Sequence, residues 1–347
     1  MEKKEKNKYA ILKVLEEAHR PLGSTRIAER LLSKGFDFSE RTIRFYLLAM
    51  DREGFTENLG KKGRLITERG SEESAKENVI NKVGYFTSEL DHITCEMDFH
   101  ITRKTGTLAL NYCLIPRDQL EYIYPLVQTV LFTGYGMGEL IGLAEEGEKI
   151  RDTVIPKKTV GVGSLCCINF NGILLAHGIP TTPKFGGLLE IKNGNPERFV
   201  EIICYDGTSL DPLEIFIKSG MTGILNLAQT GSGRICVSFN EIPATGRDRV
   251  VELSRLAKKA GLGNIISIGW PGEPLLGIPV REGRVGFITA CGLNPIAALE
   301  ESGYEINHRF LHASADYQTL FHYEDLGNRL FPSNSPPMVP YEKSASL

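Results

Sequence analysis

Apolar residues recur at three- and four-residue spacing along the first fifty positions, and the pattern predicts three short helices. "YAILKVLEEA" (Tyr9 to Ala18) puts Ile11, Leu12, Val14 and Leu15 on one face, and "STRIAERLLSKG" (Ser24 to Gly35) does the same with Ile27, Ala28, Leu31 and Leu32. After the turn "GFDF", "SERTIRFYLLAMDREG" (Ser39 to Gly54) opens on a serine suited to cap a helix and closes on a glycine. Its inward positions are Ile43, Leu47 and Met50, which leaves Ser39, Arg41, Thr42, Arg44 and Phe45 near the outer face or its edge. The period then changes. "FTENLGKKGRLITERG" (Phe55 to Gly70) reads as a two-stranded ribbon turning at Gly60 to Gly63, with Lys61, Lys62 and Arg64 at its tip.

From about Gly84 onward, segments of alternating or continuous apolar residues are separated by glycines and prolines. "GTLALNYCLIP" (Gly106 to Pro116) lines up with "GRICVSFNEIP" (Gly233 to Pro243), and "LDPLEIFIKSG" (Leu210 to Gly220) with "LNPIAALEESG" (Leu293 to Gly303). "GIP" occurs at Gly178 and again at Gly277. The matched order predicts a diverged internal duplication. In the second copy, a strand (Arg234 to Ile242) leads to a helix (Gly246 to Gly261) and a strand near Asn264 to Ile268. A strand (Arg284 to Gly292), a helix on the Asn294-Pro295 pair and a last strand around Tyr304 to His312 complete it. The order βαββαβ is that of a ferredoxin-like plait. The first copy repeats it with insertions at about Glu145 to Pro156 and Lys192 to Tyr205. Asp211-Pro212 and Asn294-Pro295 both read as an N-cap followed by a proline at the first helical position.

The predicted fold class is therefore α+β, with an N-terminal winged helix-turn-helix (residues 1–70) and a polar linker (71–83). Two duplicated ferredoxin-like α/β-plait domains (84–228 and 229–325) follow, then a C-terminal tail (326–347). The proline- and serine-rich end of that tail, "FPSNSPPMVPYEKSASL", is assigned no function.

Charge sharpens the division. The net charge of -3 splits into +5 over residues 1–70 and -8 over the remainder. A basic helical head with a cationic ribbon suits DNA: a helix fits the major groove, arginine can bond guanine bidentately, and wing lysines neutralise phosphates. The candidate DNA-binding residues are Ser39, Arg41, Thr42, Arg44, Lys61, Lys62 and Arg64, with Arg30 and Arg52 read as ordinary surface or ion-pair residues. The alternative for the head is a small helical dimerisation or protein-contact domain.

No apolar run approaches the roughly 18 residues of a membrane span, and "MEKKEKNKYA" lacks the apolar stretch of a signal peptide. The expectation is a soluble cytoplasmic protein with no membrane partner. Its seven cysteines are odd in number and form no C-x-x-C pair, which argues against a disulfide framework and a structural zinc site. No Walker loop, H-E-x-x-H, G-x-S-x-G or kinase set is present, and "GYGMGELIG" does not match a dinucleotide fingerprint. No catalytic residue, metal ligand or cofactor is assigned.

The densest polar, glycine-rich region is "GVGSLCCINFNGILLAHGIPTTPKFGG" (Gly161 to Gly187). One reading is a pocket for a small anion, with hydroxyls, backbone amides, His177 and Lys184 as donors. The other is a strand, a hairpin and a loop in which His177 is satisfied by a carbonyl.

The winged head, with "GSLC", "NGILLAHGIPTTPKFGGLLEI" and "YDGTSLDPLEIFIKSGMT" in the body, resembles NrpR, the nitrogen-regulatory repressor family of archaea and some bacteria. The similarity runs from about Lys8 to Tyr323. The resemblance implies a homodimeric repressor that binds double-stranded palindromic operators of nitrogen-assimilation genes and is released by 2-oxoglutarate. Several members carry two effector domains in tandem whereas this chain has one, which leaves room for a second repressor subunit of the same family. On the matching residues, the effector site is expected at Ser164, Cys166, His177, Gly178 and Lys184. Two other function classes compete: an enzyme acting on a small metabolite with an autoregulatory DNA-binding head, and a dimeric scaffold for protein partners.

Overall fold

A computed structural model describes residues 3–18, 20–32, 38–80, 85–150, 153–304 and 311–331, and the chain divides into two units, residues 1–83 and 84–347. The last part of the tail, residues 332–347, the linker residues 81–83 and most of the strand expected around Tyr304 to His312, residues 305–310, lie outside the described residues. Among the described residues no helix is long and apolar enough to cross a membrane.

The first unit follows the apolar spacing. Helices α1 (Lys3–Ala18), α2 (Ser24–Leu32) and α3 (Glu40–Glu53) precede the ribbon β1 (Thr56–Asn58) and β2 (Arg64–Ile66). Ile11, Leu15, Ile27, Leu31, Ile43, Leu47 and Met50 close one core. Ser39 caps α3 by accepting the Thr42 N–H at 3.2 Å, and Gly54 ends it in the left-handed conformation. A single bridge between Leu22 and Arg64 ties the ribbon to the segment before α2. The polar stretch read as a connector continues this unit as α4 (Glu68–Ile80), which packs on α1 and hydrogen-bonds it through Ser74 to Glu16 at 2.9 Å.

The second unit begins with α5 (Tyr85–Glu96), β3 (Thr107–Pro116), α6 (Leu120–Phe132) and β4 (Leu140–Ala144). The first predicted insertion is the small hairpin β5 (Lys149–Ile150) and β6 (Thr153–Val154), before β7 (Thr159–Leu165), α7 (Ile168–Ala176) and β8 (Thr182–Lys192). The second insertion is β9 (Asn195–Cys204), followed by α8 (Pro212–Lys218) and α9 (Ile224–Thr230). Then come β10 (Gly233–Pro243), α10 (Arg247–Lys259), β11 (Ile265–Ile268), β12 (Arg284–Ala290) and α11 (Asn294–Glu301). The last described elements are β13 (Leu311–Asp316), β14 (Phe321–His322) and α12 (Leu326–Leu330), so the start of the predicted tail is helical.

The sheets correct the expected partition. One has the order β13-β3-β7-β4-β14 and the other β11-β12-β10-β8-β9, all neighbours antiparallel. Each predicted copy therefore supplies three strands to its own sheet and gives two to the other: β8 and β9 extend the sheet of β10, and β13 and β14 form the two edges of the sheet of β3. The helices go with the strands, since α11 packs on α6 and α7 on α10. Two self-contained copies in series are not found. The exchange is held by long antiparallel register between β8 and β10, anchored where Phe185 faces Phe239 with rings stacked at 4.9 Å.

The repeat register changes too. "LDPLEIFIKSG" forms α8, which follows β9, whereas the helix that follows the third strand, as α11 does in the second copy, is α7. Asp211 caps α8 as predicted, accepting the Leu213 N–H at 2.8 Å, with Pro212 at the first helical position. Asn294 is instead inside α11, and its side chain caps nothing.

Candidate functional site

The structural counterpart of "CGLN" (Cys291 to Asn294) is "CCIN" (Cys166 to Asn169). Each asparagine opens a buried helix and grips the first strand of its own copy at equivalent residues. Asn169 Oδ1 accepts the Ala109 N–H at 2.7 Å and its Nδ2 donates to the Ala109 carbonyl at 2.8 Å. Asn294 does the same to Cys236 at 2.9 and 3.0 Å, and also donates to the Tyr135 carbonyl at 2.7 Å. The cysteines match as well: the Cys166 N–H donates to the Ala109 carbonyl and the Cys291 N–H to that of Cys236. At Gly292 the chain runs so close to β7 that a Cβ would lie 1.8 Å from the Leu165 carbonyl oxygen.

Between these two motifs lies a cavity of about 30 Å³, lined by Phe86 and Leu90 of α5, Cys166, Cys167, Asn171, Pro183, Tyr205, Asp211, Ser238, Asn240 and Cys291. Its polar wall is a chain of hydrogen bonds. Asn171 Nδ2 donates to Asn240 Oδ1 at 3.2 Å, Asn240 Nδ2 to Ser238 Oγ at 3.2 Å, and Tyr205 Oη to the same oxygen at 2.9 Å. Asn171 Oδ1 is buried with no partner among the described residues. Burial pushes the Tyr205 hydroxyl well up and the Cys291 thiol up to about 11, so both are neutral at neutral pH. Among the described residues of the lining, Asp211 is the one with an ionisable carboxyl or basic group, and it is an acid.

Of the predicted effector residues, only Cys166 lines this cavity, while Lys184 follows the lining residue Pro183 on β8 and is half-buried. The other three serve the fold. Ser164 is buried in β7 and donates to the Gly292 carbonyl at 2.6 Å. His177 Nδ1 sits 2.8 Å from the Ile173 carbonyl, one turn back in α7. Gly178, at φ +75°, ends that helix while its N–H bonds the Leu175 carbonyl. "HGIP" is thus a helix terminus: the carbonyl partner of His177 was foreseen, whereas the strand, hairpin and loop expected around it give way to α7 between β7 and β8. Asn171, Tyr205, Ser238 and Asn240 were absent from the expectation. Cys291 was within reach of it, had "CCIN" been set against "CGLN".

In the first unit, Ser39 and Arg41 are exposed at the start of α3, and Arg41 has no ion-pair partner among the described residues. Thr42 is half-buried, with its hydroxyl 2.9 Å from that of Ser39. Arg44 is exposed but tethered: it donates to Glu40 at 2.7 Å and to Ser24 at 3.1 Å. Lys61 and Lys62 are exposed in the turn between β1 and β2. Arg64 leaves the tip altogether, because it stands in β2 with its side chain half-buried against Asp51 of α3 at 2.9 Å. That pair fastens the ribbon to the helix.

The comparisons agree with this division. Residues 83–322 match the family model described as NrpR regulatory domains NRD1 and 2, and residues 9–73 match the ribonuclease R winged-helix domain. The global nitrogen regulator NrpRI of Methanosarcina mazei is 31% identical over 310 residues, covering 89% of this chain and 95% of that protein. The global nitrogen regulator NrpR of Methanococcus maripaludis is 30% identical over 85% of this chain, which spans 51% of its length. The crystal structure of a nitrogen repressor-like protein from Methanococcus jannaschii matches with a TM-score of 0.58 at 26% identity, covering 68% of this chain and 97% of that one. With a winged-helix unit before a matched regulatory unit, and relatives of this kind over most of its length, the chain belongs to the NrpR family.

Proposed function

We propose that the chain is a transcriptional repressor of nitrogen-assimilation genes that binds palindromic operators as a cytoplasmic homodimer and is released by 2-oxoglutarate. The observation that carries the reading is the joining, in one chain, of a winged-helix match over residues 9–73 to an NrpR regulatory match over 83–322. The relatives are named as regulators, which favours control over catalysis. The body is read as a duplicated α/β plait whose copies have exchanged α7, β8 and β9 for α11, β13 and β14; the strand orders and the paired asparagine clamps support this.

The cavity beside Cys166 is the proposed effector site, with Lys184 as the cation for one carboxylate. At about 30 Å³ it has room for one or two waters. A dicarboxylate can enter only if the two copies part, so the effector binds the opened body better than the closed one, and such differential affinity is what a switch requires. A hundredfold change in operator affinity needs about 2.7 kcal/mol of coupling.

The lining itself favours a second class of effector. An orphaned acceptor at Asn171 in an otherwise neutral polar wall suits a donor-bearing metabolite. Operator binding measured by fluorescence anisotropy at one salt concentration separates the two. If 2-oxoglutarate binds here, it releases the wild-type protein, and Lys184→Ala raises the concentration for half-release about tenfold, the loss of one charge-assisted bond. A full response in Lys184→Ala would remove 2-oxoglutarate from this site, and no response in either protein would remove it as the effector.

A further inference from the structure

Helix α3 carries more exposed apolar surface than its fold uses. Ile43, Leu47 and Met50 are fully buried, yet Phe45 is 60% exposed and Leu48 52%. At about 100° per residue, Phe45 and Leu48 fall with Arg41, Arg44 and Arg52 on one arc of about 100°. All five are exposed. Two large apolar side chains among three arginines, on a unit that also exposes Lys61 and Lys62 in its ribbon turn, do not fit an apolar protein partner; the charge fits a polyanion. In the DNA major groove, the apolar feature on the base edges is the 5-methyl group of thymine. Phe45 lies one turn beyond Arg41, in the half of the helix that meets base edges in this class of fold.

We propose that Phe45 and Leu48 read thymine methyl groups in the operator, beside the bases met by the arginines. This rests on the operator-binding reading above and adds a second kind of contact to it. Arginines and apolar readers then differ in what they sense: the former answer to hydrogen-bonding edges and salt, the latter to one methyl group.

The test uses the full chain and a duplex of the palindrome selected from genomic DNA, with each thymine in turn replaced by deoxyuridine. At fixed salt, wild-type affinity should fall about fourfold at one or two positions per half-site, the effect of one methyl-sized group withdrawn from contact. Phe45→Ala should bind the thymine duplex more weakly and lose its sensitivity at one of those positions, and Leu48→Ala at the other. Their salt dependence should match that of the wild type. Affinity indifferent to uracil at every position would overturn the proposal while leaving operator binding intact. Sedimentation showing that Phe45→Ala abolishes self-association, with uracil without effect, would assign the patch to a second copy and also overturn it. A chain that binds no duplex would overturn both this proposal and the operator reading.

Discussion

Asn169 and Asn294 are the residues on which the body turns, and neither announces itself in the sequence. Each replaces a missing strand neighbour by offering one amide to one peptide unit, so a backbone N–H and C=O at the centre of each copy are satisfied by a side chain. Asn294 is fully buried, and Asn294→Ala leaves the N–H and C=O of Cys236 and the carbonyl of Tyr135 without it. The expected cost is about 3 kcal/mol, read as a lower urea midpoint at unchanged m-value. A loss below about 0.5 kcal/mol would show that the clamp is dispensable. From sequence alone Asn294-Pro295 reads as a cap because capping is local chemistry, whereas the true partner lies 58 residues away. Ser164 fails for the same reason, its acceptor being 128 residues distant. Cys166 stands in a dense motif, but the pocket it lines is assembled from seven separate stretches of chain.

At the scale of elements, the head was readable because its helices are specified by near neighbours. The apolar stripes, the Ser39 cap and the Gly54 terminus all act within a turn or two. Two readings fell short. Helix α4 was read as a polar helical connector, but it packs on α1 as part of the head, which no local signal records. Arg64 follows Lys61 and Lys62 closely enough to look like part of one cationic tip, yet β2 turns it onto Asp51. Substitutions should separate these roles. Lys61→Ala or Lys62→Ala should weaken binding to all sequences alike and reduce the slope of log affinity against log salt by about one each. Arg64→Ala should leave that slope alone and lower the melting temperature of the head. A slope change in Arg64→Ala equal to that of the lysine variants would return it to the phosphate-binding surface.

For the whole molecule, the strands and helices of the body were legible as matched segments, but the sheets that β8, β9, β13 and β14 join were not. Strand pairing is a non-local choice that the alternation of residues within one strand does not record. The exchange predicts that the body is one cooperative unit. A fragment of residues 84–228 keeps β8 but loses β10, the strand it pairs with, and should not fold alone, whereas residues 84–347 should give a single unfolding transition. A well-folded 84–228 fragment, judged by amide dispersion, would contradict this. The proposed effector, by parting the copies, would act on this shared structure. The most direct test of that account is selection of bound fragments from the source genome at one fixed salt concentration, with and without 2-oxoglutarate. The account predicts enrichment of a palindrome upstream of nitrogen-assimilation genes, abolished by the metabolite; enrichment that the metabolite leaves unchanged, or no enrichment at all, would contradict it.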